Sequence, residues 1–168
     1  METFRYETSP DPIRRDLRDP YRRAWCHIAA PGTWLSGARR VAVAEETRRA
    51  RSCSLCRARR AALSPLSIEG EHDQPGLLPA PMVDQIHRVT TDAAVKGDPA
   101  ELAAARDALR GTGGSAVLVD AAGIIGNFER MVRIADGTGI PLDAYTEEAT
   151  AGLREELGID RFASAGLD

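Results

Sequence analysis

The sequence predicts an all-α fold, a bundle of about six helices. Alanine, arginine and glutamate, which favour helices, recur throughout the chain. No segment shows the strict alternation of apolar and polar residues that a half-buried strand requires. Apolar residues instead recur at helical spacing, as in Val83, Ile86 and Val89. The 168 residues are enough to bury a hydrophobic core, and we expect one helical domain over residues 25–158.

The first part of the chain is predicted to form an arm followed by a long helix. Residues 1–24 are charged and contain three prolines, which predicts an irregular arm with a short helix near residues 13–18. Residues 25–34 are more apolar and are predicted to pack against the core. Good helix formers then continue through residues 37–63, so we expect one uninterrupted helix there.

Segments rich in glycine and proline separate the remaining predicted helices. Asp98 is a good helix cap, and Pro99 suits the first helical position. Gly158 is a natural end for the last helix, and residues 159–168 are predicted to be a tail. The predicted helices cover residues 79–91, 98–110, 116–135 and 143–157.

Composition and charge exclude several classes of protein. The formal net charge is −3 and aromatic residues make up only 5%, which argues against a nucleic-acid partner. No apolar run reaches the roughly 18 residues that a membrane span needs. The first residues lack the apolar core of a signal peptide. We therefore expect a cytoplasmic protein, in which three cysteines do not form a structural disulfide framework.

The pair Cys53 and Cys56 is the most specific chemical feature of the sequence. On a helix, residues three apart have Cβ atoms roughly 5–6 Å apart, near enough for a reversible disulfide. The alternative is that both are small buried apolar residues. A zinc site needs two more ligands and a haem attachment needs a histidine after Cys56, so the sequence predicts no metal and no cofactor. Arginines flank the pair and favour a thiolate there: Arg49, Arg57, Arg59 and Arg60.

Glu46 and His87 are candidates for acid–base roles. Glu46 lies two helical turns before Cys53 on the same face, where a carboxylate can exchange protons with a thiol. The alternative for Glu46 is an ordinary surface pair with Arg49, and Glu45 is assigned to such a role. His87 shares a helix face with apolar residues and is either a general acid–base or a core histidine.

Further polar residues are weaker candidates. Asp120 is the one charge early in an apolar run, so we expect it to line a pocket, pair with an arginine or face water. Arg60 is likewise a candidate for binding substrate or lining a pocket. His72 falls in a polar segment and is predicted to lie at the surface, while His27 in the apolar stretch is predicted to be structural. Asp84, one turn before His87, is positioned to orient its ring.

Several sequence blocks carry a family resemblance. They are Ile28–Trp34, Arg40–Glu46, Cys53–Cys56, Ala62–Pro65, Val83–Arg88 and residues 119–142. Together they cover about residues 25–142 and resemble the carboxymuconolactone decarboxylase and alkylhydroperoxidase D-like superfamily.

The resemblance implies an all-α fold that assembles into trimers or hexamers. In the redox branch of the superfamily a thiol pair reduces hydroperoxides, and a carboxylate and a histidine relay protons. By analogy Cys56 would attack the peroxide and Cys53 would resolve the sulfenic acid, at the expense of an external dithiol reductant. The chain departs from that branch in having Arg60 in place of its histidine and Val41 in place of its glutamate.

The sequence leaves three hypotheses open. The first is a thiol-dependent peroxidase or disulfide reductase that uses Cys53 and Cys56, with Glu46 and His87 as the proton relay. The second is a cofactor-free acid–base enzyme, of the decarboxylase or lactone type, that acts on a small organic substrate. The third is a non-catalytic helical protein that binds a partner through its arginine-rich face. Under each hypothesis a homo-oligomer is expected.

Overall fold

The computed structural model of this chain describes residues 11–62, 68–73, 76–92 and 99–139. Within these ranges every regular element is helical and no strand is present, so the predicted all-α class is confirmed for the described part of the chain. The predicted helix over residues 143–157 and the tail that follows it lie outside these ranges. The helices are α1 (Arg15–Ala29), α2 (Gly37–Ala50), α3 (Ser54–Ala61), α4 (Ala80–His87) with a π-helical turn (Arg88–Asp92), and α5 (Pro99–Thr138).

The chain divides into two compact units. One unit is formed by residues 28–129 and contains α2, α3, α4, the π-helical turn and most of α5. The other combines the segments before and after it, and there the buried ring of Tyr21 in α1 hydrogen-bonds through its hydroxyl to the carbonyl of Arg130, 3.4 Å away. None of the helices in the described ranges combines the length and the apolar character needed to cross a bilayer.

α1 replaces much of the irregular arm that the sequence predicts. The helix runs from Arg15 to Ala29 and contains Pro20 within it. A proline inside a helix removes one backbone hydrogen bond, which is why the prolines of this segment favoured an irregular interpretation. The burial of Tyr21, directly after the proline, shows a packed face that offsets this loss.

The single helix predicted over residues 37–63 is wrong, because the chain breaks between α2 and α3. Cys53 has an extended backbone (φ −57°, ψ 131°) and caps the new helix. The carboxylate of Asp73 accepts hydrogen bonds from the backbone N–H of Ser54 at 2.8 Å and from its hydroxyl at 3.1 Å. Asp73 therefore satisfies the start of α3 as an N-cap side chain would. Its position, 19 residues away in sequence, explains why helix propensity did not reveal the break.

α2 lies at the centre of the unit formed by residues 28–129. Eight of the eleven residues from Arg40 to Ala50 are buried, and the helix contacts α4 and the π-helical turn. A helix covered on most sides belongs to the core of its unit. Its fully buried Val43 and the fully buried Ile86 of α4 belong to that core. α2 and α4 therefore provide a fixed frame for the polar side chains that they carry.

α5 consists of two helical stretches that meet at a kink, where the sequence predicts one helix to stop and the next to begin. The kink is at Gly114, whose φ of 76° lies in the left-handed region that glycine adopts without strain. Helical structure resumes directly and continues to Thr138. The predicted cap, Asp98, lies outside the described residues.

Candidate functional site

Four side chains converge within the unit formed by residues 28–129. Cys53 caps α3, Cys56 lies in its first turn, His72 comes from the non-helical segment 68–73, and His87 ends α4. One ligating atom from each side chain lies within 4.8 Å of the others. We call these four residues the Cys–His cluster.

The two histidines contact the sulfurs through the same ring nitrogen. His87 Nδ1 lies 3.3 Å from Cys56 Sγ. His72 Nδ1 lies between the two sulfurs, 3.6 Å from Cys56 Sγ and 3.7 Å from Cys53 Sγ. The centroids of the two imidazole rings are 4.0 Å apart. Cys56 therefore contacts both histidines, and His72 contacts both cysteines.

The second ring nitrogen of His87 is held by Glu46. His87 Nε2 lies 2.7 Å from Glu46 Oε1, and Arg49 Nη1 donates to Glu46 Oε2 at 2.6 Å. This places a carboxylate between a histidine and an arginine in the core of the unit. The ion pair of Glu46 with Arg49, the surface alternative suggested by the sequence, is therefore present together with the contact to His87.

The second ring nitrogen of His72 is held in the same way, by a carboxylate that also binds an arginine. Its Nε2 lies 3.3 Å from Asp84 Oδ1, and Arg88 Nε donates to Asp84 Oδ2 at 2.8 Å. The sequence analysis expected Asp84 to orient His87, but Asp84 orients His72 instead. In both pairs the histidine presents Nδ1 to sulfur and Nε2 to a carboxylate, and the carboxylate also binds an arginine.

The cluster is buried, and one side of it lies closer to solvent. Cys53 is 1% exposed, and Cys56 and His87 are fully buried. The side chain of His72 is 9% exposed and that of its partner Asp84 is 33% exposed. The side of the cluster formed by His72 and Asp84 is therefore the one nearest to water.

The surroundings favour the thiolate form of Cys56. Burial alone raises the pKa of this thiol, but hydrogen bonds with His72, His87 and Thr91 outweigh burial and lower the pKa to about 6. The position of Cys56 in the first turn of α3 also favours a negative charge, because the helix dipole and unpaired N–H groups lie there. The sequence analysis placed the pair in the middle of a helix, where this contribution is absent.

The histidines are correspondingly shifted toward their protonated forms. Burial lowers the pKa of His72, but its hydrogen bonds to Asp84 and to both sulfurs raise it to about 10. Burial likewise lowers the pKa of His87, while hydrogen bonds to Cys56 and Glu46 raise it to about 9. A thiolate flanked by imidazolium groups is the arrangement found at activated cysteines.

The structure brings four predicted site residues together: Cys53, Cys56, Glu46 and His87. Asp120 and Arg60 have other partners. Asp120 Oδ1 accepts from Arg40 Nη1 at 3.0 Å, and Arg60 Nη2 donates to the carbonyl of Arg51 at 3.3 Å. The pairing of Asp120 with an arginine was one of the alternatives left open by the sequence.

His72 is the residue of this site that sequence reasoning missed. It was assigned to the surface because its segment has no helical or strand periodicity. The one local signal is the neighbouring Asp73, a good capping residue that fastens this segment to the start of α3 and so brings His72 to the sulfurs. His72 and His87 supply the two further ligands whose absence led the sequence analysis to disfavour zinc.

Glu45 also differs from expectation. The sequence assigned it to the surface, yet both of its carboxylate oxygens are buried and have no hydrogen-bond partner. Burial raises the pKa of Glu45 to about 8, against the opposing charge of Arg49. Glu45 and Glu46 are neighbours in α2, yet the Glu46 carboxylate is hydrogen-bonded and the Glu45 carboxyl group is not.

Comparisons of the chain with protein-family models, curated proteins and solved structures give no significant match.

Proposed function

We propose that this protein is a thiol-dependent oxidoreductase that reduces hydroperoxides, with Cys56 as the attacking thiolate and Cys53 as the resolving thiol. The supporting observation is the contact of Cys56 Sγ with two imidazoles, at 3.3 Å and 3.6 Å. Each imidazole is oriented by a carboxylate. This is the geometry of a nucleophile, a proton carrier and a group that orients the carrier.

In the first step the Cys56 thiolate attacks one oxygen of the hydroperoxide. The O–O bond breaks, sulfur gives up two electrons, and an S–O bond forms to yield a sulfenic acid. The alkoxide that leaves takes a proton and becomes an alcohol. His87, bound to Cys56 at Nδ1 and to Glu46 at Nε2, is placed to give that proton.

In the second step the Cys53 sulfur attacks the sulfenic sulfur of Cys56. A disulfide forms, and the hydroxide that leaves takes a proton and becomes water. The two Sγ atoms lie within 4.8 Å, so side-chain rotation is enough to bring them to bonding distance. An external dithiol then reduces the disulfide and is itself oxidised, which returns both thiols. His72 touches both sulfurs and is placed to move protons in either direction.

The sequence resemblance to the alkylhydroperoxidase D-like superfamily agrees with this proposal. Under this proposal, other residues of the cluster region account for the departures from the redox branch of that family. The acid–base groups that Arg60 and Val41 do not provide are supplied by Glu46, His72 and His87. We extend the proposal to a homo-oligomer, a trimer or hexamer as the resemblance implies. The cytoplasmic location and the six or so helices per chain that the sequence predicts are part of the same proposal.

The test is to follow disulfide formation in the reduced, metal-free protein after hydrogen peroxide or an alkyl hydroperoxide is added. Mass spectrometry is expected to show a Cys53–Cys56 bond that forms as one equivalent of peroxide is consumed. Cys56→Ser is expected to remove rapid peroxide consumption and to leave only a slow direct oxidation of Cys53. Cys53→Ser is expected to retain the first step and stop at a sulfenic acid on Cys56.

Cys26→Ser is the matched control, because Cys26 is not a member of the Cys–His cluster and no disulfide involves it. It is expected to react as the wild type does. A Cys56→Ser protein that still consumes peroxide at the wild-type rate would overturn the proposal. Attention would then move to the cofactor-free acid–base hypothesis, in which His87 and Glu46 act on an organic substrate.

A further inference from the structure

We infer that the reduced Cys–His cluster is a zinc site in which Cys53, Cys56, His72 and His87 are the four ligands. Two thiolates and two imidazoles form one of the standard ligand sets of structural zinc sites. The cysteines have the two-residue spacing common in such sites, and the histidines come from two other elements of the fold.

Three sulfur–nitrogen distances in the cluster match those of a tetrahedron around one ion. With Zn–S bonds of about 2.3 Å and Zn–N bonds of about 2.0–2.1 Å, a sulfur and a nitrogen in a tetrahedral site lie roughly 3.5 Å apart. The structure has such pairs at 3.3, 3.6 and 3.7 Å. The four ligand atoms also remain within 4.8 Å of each other as a group. A single ion can therefore reach all four without rearrangement of the helices.

The orientation of the histidines gives an independent argument. A histidine that ligates a metal normally donates its other ring N–H to a carboxylate or carbonyl, which fixes the ring and its tautomer. Both histidines do this: His87 Nε2 contacts Glu46 at 2.7 Å, and His72 Nε2 contacts Asp84 at 3.3 Å. Each ring thus directs Nδ1, the nitrogen that would bind metal, toward the sulfurs.

The charges around the site are balanced for a divalent ion. Zn²⁺ with two thiolates and two neutral imidazoles is neutral as a unit. The two outer carboxylates, Glu46 and Asp84, carry two negative charges, and each is paired with one arginine. Arg49 binds Glu46 at 2.6 Å, and Arg88 binds Asp84 at 2.8 Å. A buried metal unit therefore adds no uncompensated charge to this part of the fold.

Zinc binding and the disulfide exclude one another, because both need the same two sulfurs. A site closed by four protein ligands is of the structural type and leaves no position for substrate. We therefore assign the zinc form to the reduced, resting protein. This assignment does not depend on the proposed peroxidase activity, since any two-electron oxidant that forms the disulfide removes two of the four ligands.

The test is a titration of the full-length, reduced, metal-free protein with Zn²⁺ alone, in competition with a chromophoric chelator. We expect one Zn²⁺ per chain, and its loss when the thiols are first oxidised to the disulfide with diamide. Co²⁺ in place of Zn²⁺ is expected to show the visible bands of a tetrahedral ion and thiolate charge-transfer absorption. X-ray absorption is expected to find two sulfur and two nitrogen neighbours.

Matched variants distinguish the zinc ligands from cysteine and histidine residues outside the cluster. Cys53→Ser and His72→Gln are expected to weaken zinc binding severely, and Asp84→Asn by about 10- to 100-fold through the ligand that it orients. Cys26→Ser and His27→Gln change the same residue types outside the cluster and should keep one Zn²⁺ per chain. If a ligand variant fails to fold, the cobalt and X-ray absorption spectra of the wild type still decide the question.

The inference is overturned if the wild type binds no Zn²⁺ in the titration, if fewer than two sulfurs surround the metal, or if the Cys26 and His27 variants lose metal as the ligand variants do. Its failure is distinct from failure of the proposed function. The peroxide-driven disulfide is measured in chelated, metal-free protein, whereas metal binding is measured in the absence of any peroxide.

Discussion

Each histidine of the Cys–His cluster forms a pair with a carboxylate, and the two pairs lie in different surroundings. His87 and Glu46 join α4 to α2 across the core, and the side chain of Glu46 is only 3% exposed. His72 and Asp84 join a non-helical segment to α4 at the side nearest to water. We refer to them as the inner pair and the outer pair.

The difference indicates a division of roles. In the inner pair, both partners belong to packed helices, so Nδ1 of His87 is fixed against Cys56. The outer pair is less buried, and its histidine contacts both sulfurs. We therefore expect the inner pair to matter most for stability and for the charge of Cys56. The outer pair is expected to affect both thiols and their access to reagents.

The largest difference is expected when each carboxylate is removed. Glu46→Ala removes a buried carboxylate that contacts both His87 and Arg49, and is expected to lower the free energy of unfolding by about 3–5 kcal/mol. Asp84→Ala is expected to cost about 1 kcal/mol or less, because water can reach His72 and Arg88. Urea denaturation of the reduced, metal-free proteins measures both values.

Glu46→Gln serves as the control for this comparison, since it keeps the shape of the side chain and is expected to lose less stability than Glu46→Ala. It also provides a measurable protein if Glu46→Ala does not fold. Equal losses for Glu46→Ala and Asp84→Ala would contradict the distinction between the inner and outer pairs.

A second comparison uses proteins with one cluster thiol. In a Cys56→Ser background, His72→Gln is expected to slow the oxidation of Cys53 by peroxide, because His72 Nδ1 lies 3.7 Å from that sulfur. His87→Gln should leave Cys53 unchanged. In a Cys53→Ser background both histidine variants should slow the oxidation of Cys56, each by roughly 100-fold, the lower end of the contribution of a positioned acid–base group.

The readout is the rate at which each remaining thiol gains one oxygen, followed by mass spectrometry on metal-free protein. His27→Gln in both backgrounds controls for the loss of any histidine. The comparison fails if His87→Gln slows Cys53 as much as His72→Gln does, since the two rings would then act on the whole cluster and not on particular sulfurs.

The inner and outer pairs also differ in how far the sequence predicted them. His87 was found because α4 shows helical spacing. Glu46 was selected because a continuous helix would place it on the face of Cys53; the break before Cys53 removes that relation, and Glu46 contacts His87 instead. His72 was missed because a non-helical segment has no periodicity that relates it to the sulfurs. Its position depends on the long-range hydrogen bond that Asp73 accepts from the backbone N–H of Ser54. The same bond caps α3 where the predicted helix is interrupted at Cys53. Local patterns thus predicted the helices and their faces, whereas contacts distant in sequence completed the site.

A pH-dependent effect is expected at Glu45, the neighbour of Glu46 in α2. Its buried carboxyl group has no hydrogen-bond partner, and its pKa is raised to about 8 in the folded protein. The folded state therefore holds this proton more tightly than the unfolded chain, so stability should fall as pH rises from about 4.5 to about 8 and level off above that. Glu45→Gln stays neutral, so its stability relative to the wild type should rise as pH increases from about 4.5 to about 8. Urea unfolding at several pH values measures it, with Glu69→Gln as the exposed control. A difference independent of pH would show that Glu45 is ionised in the folded protein and has found a partner, as Glu46 has.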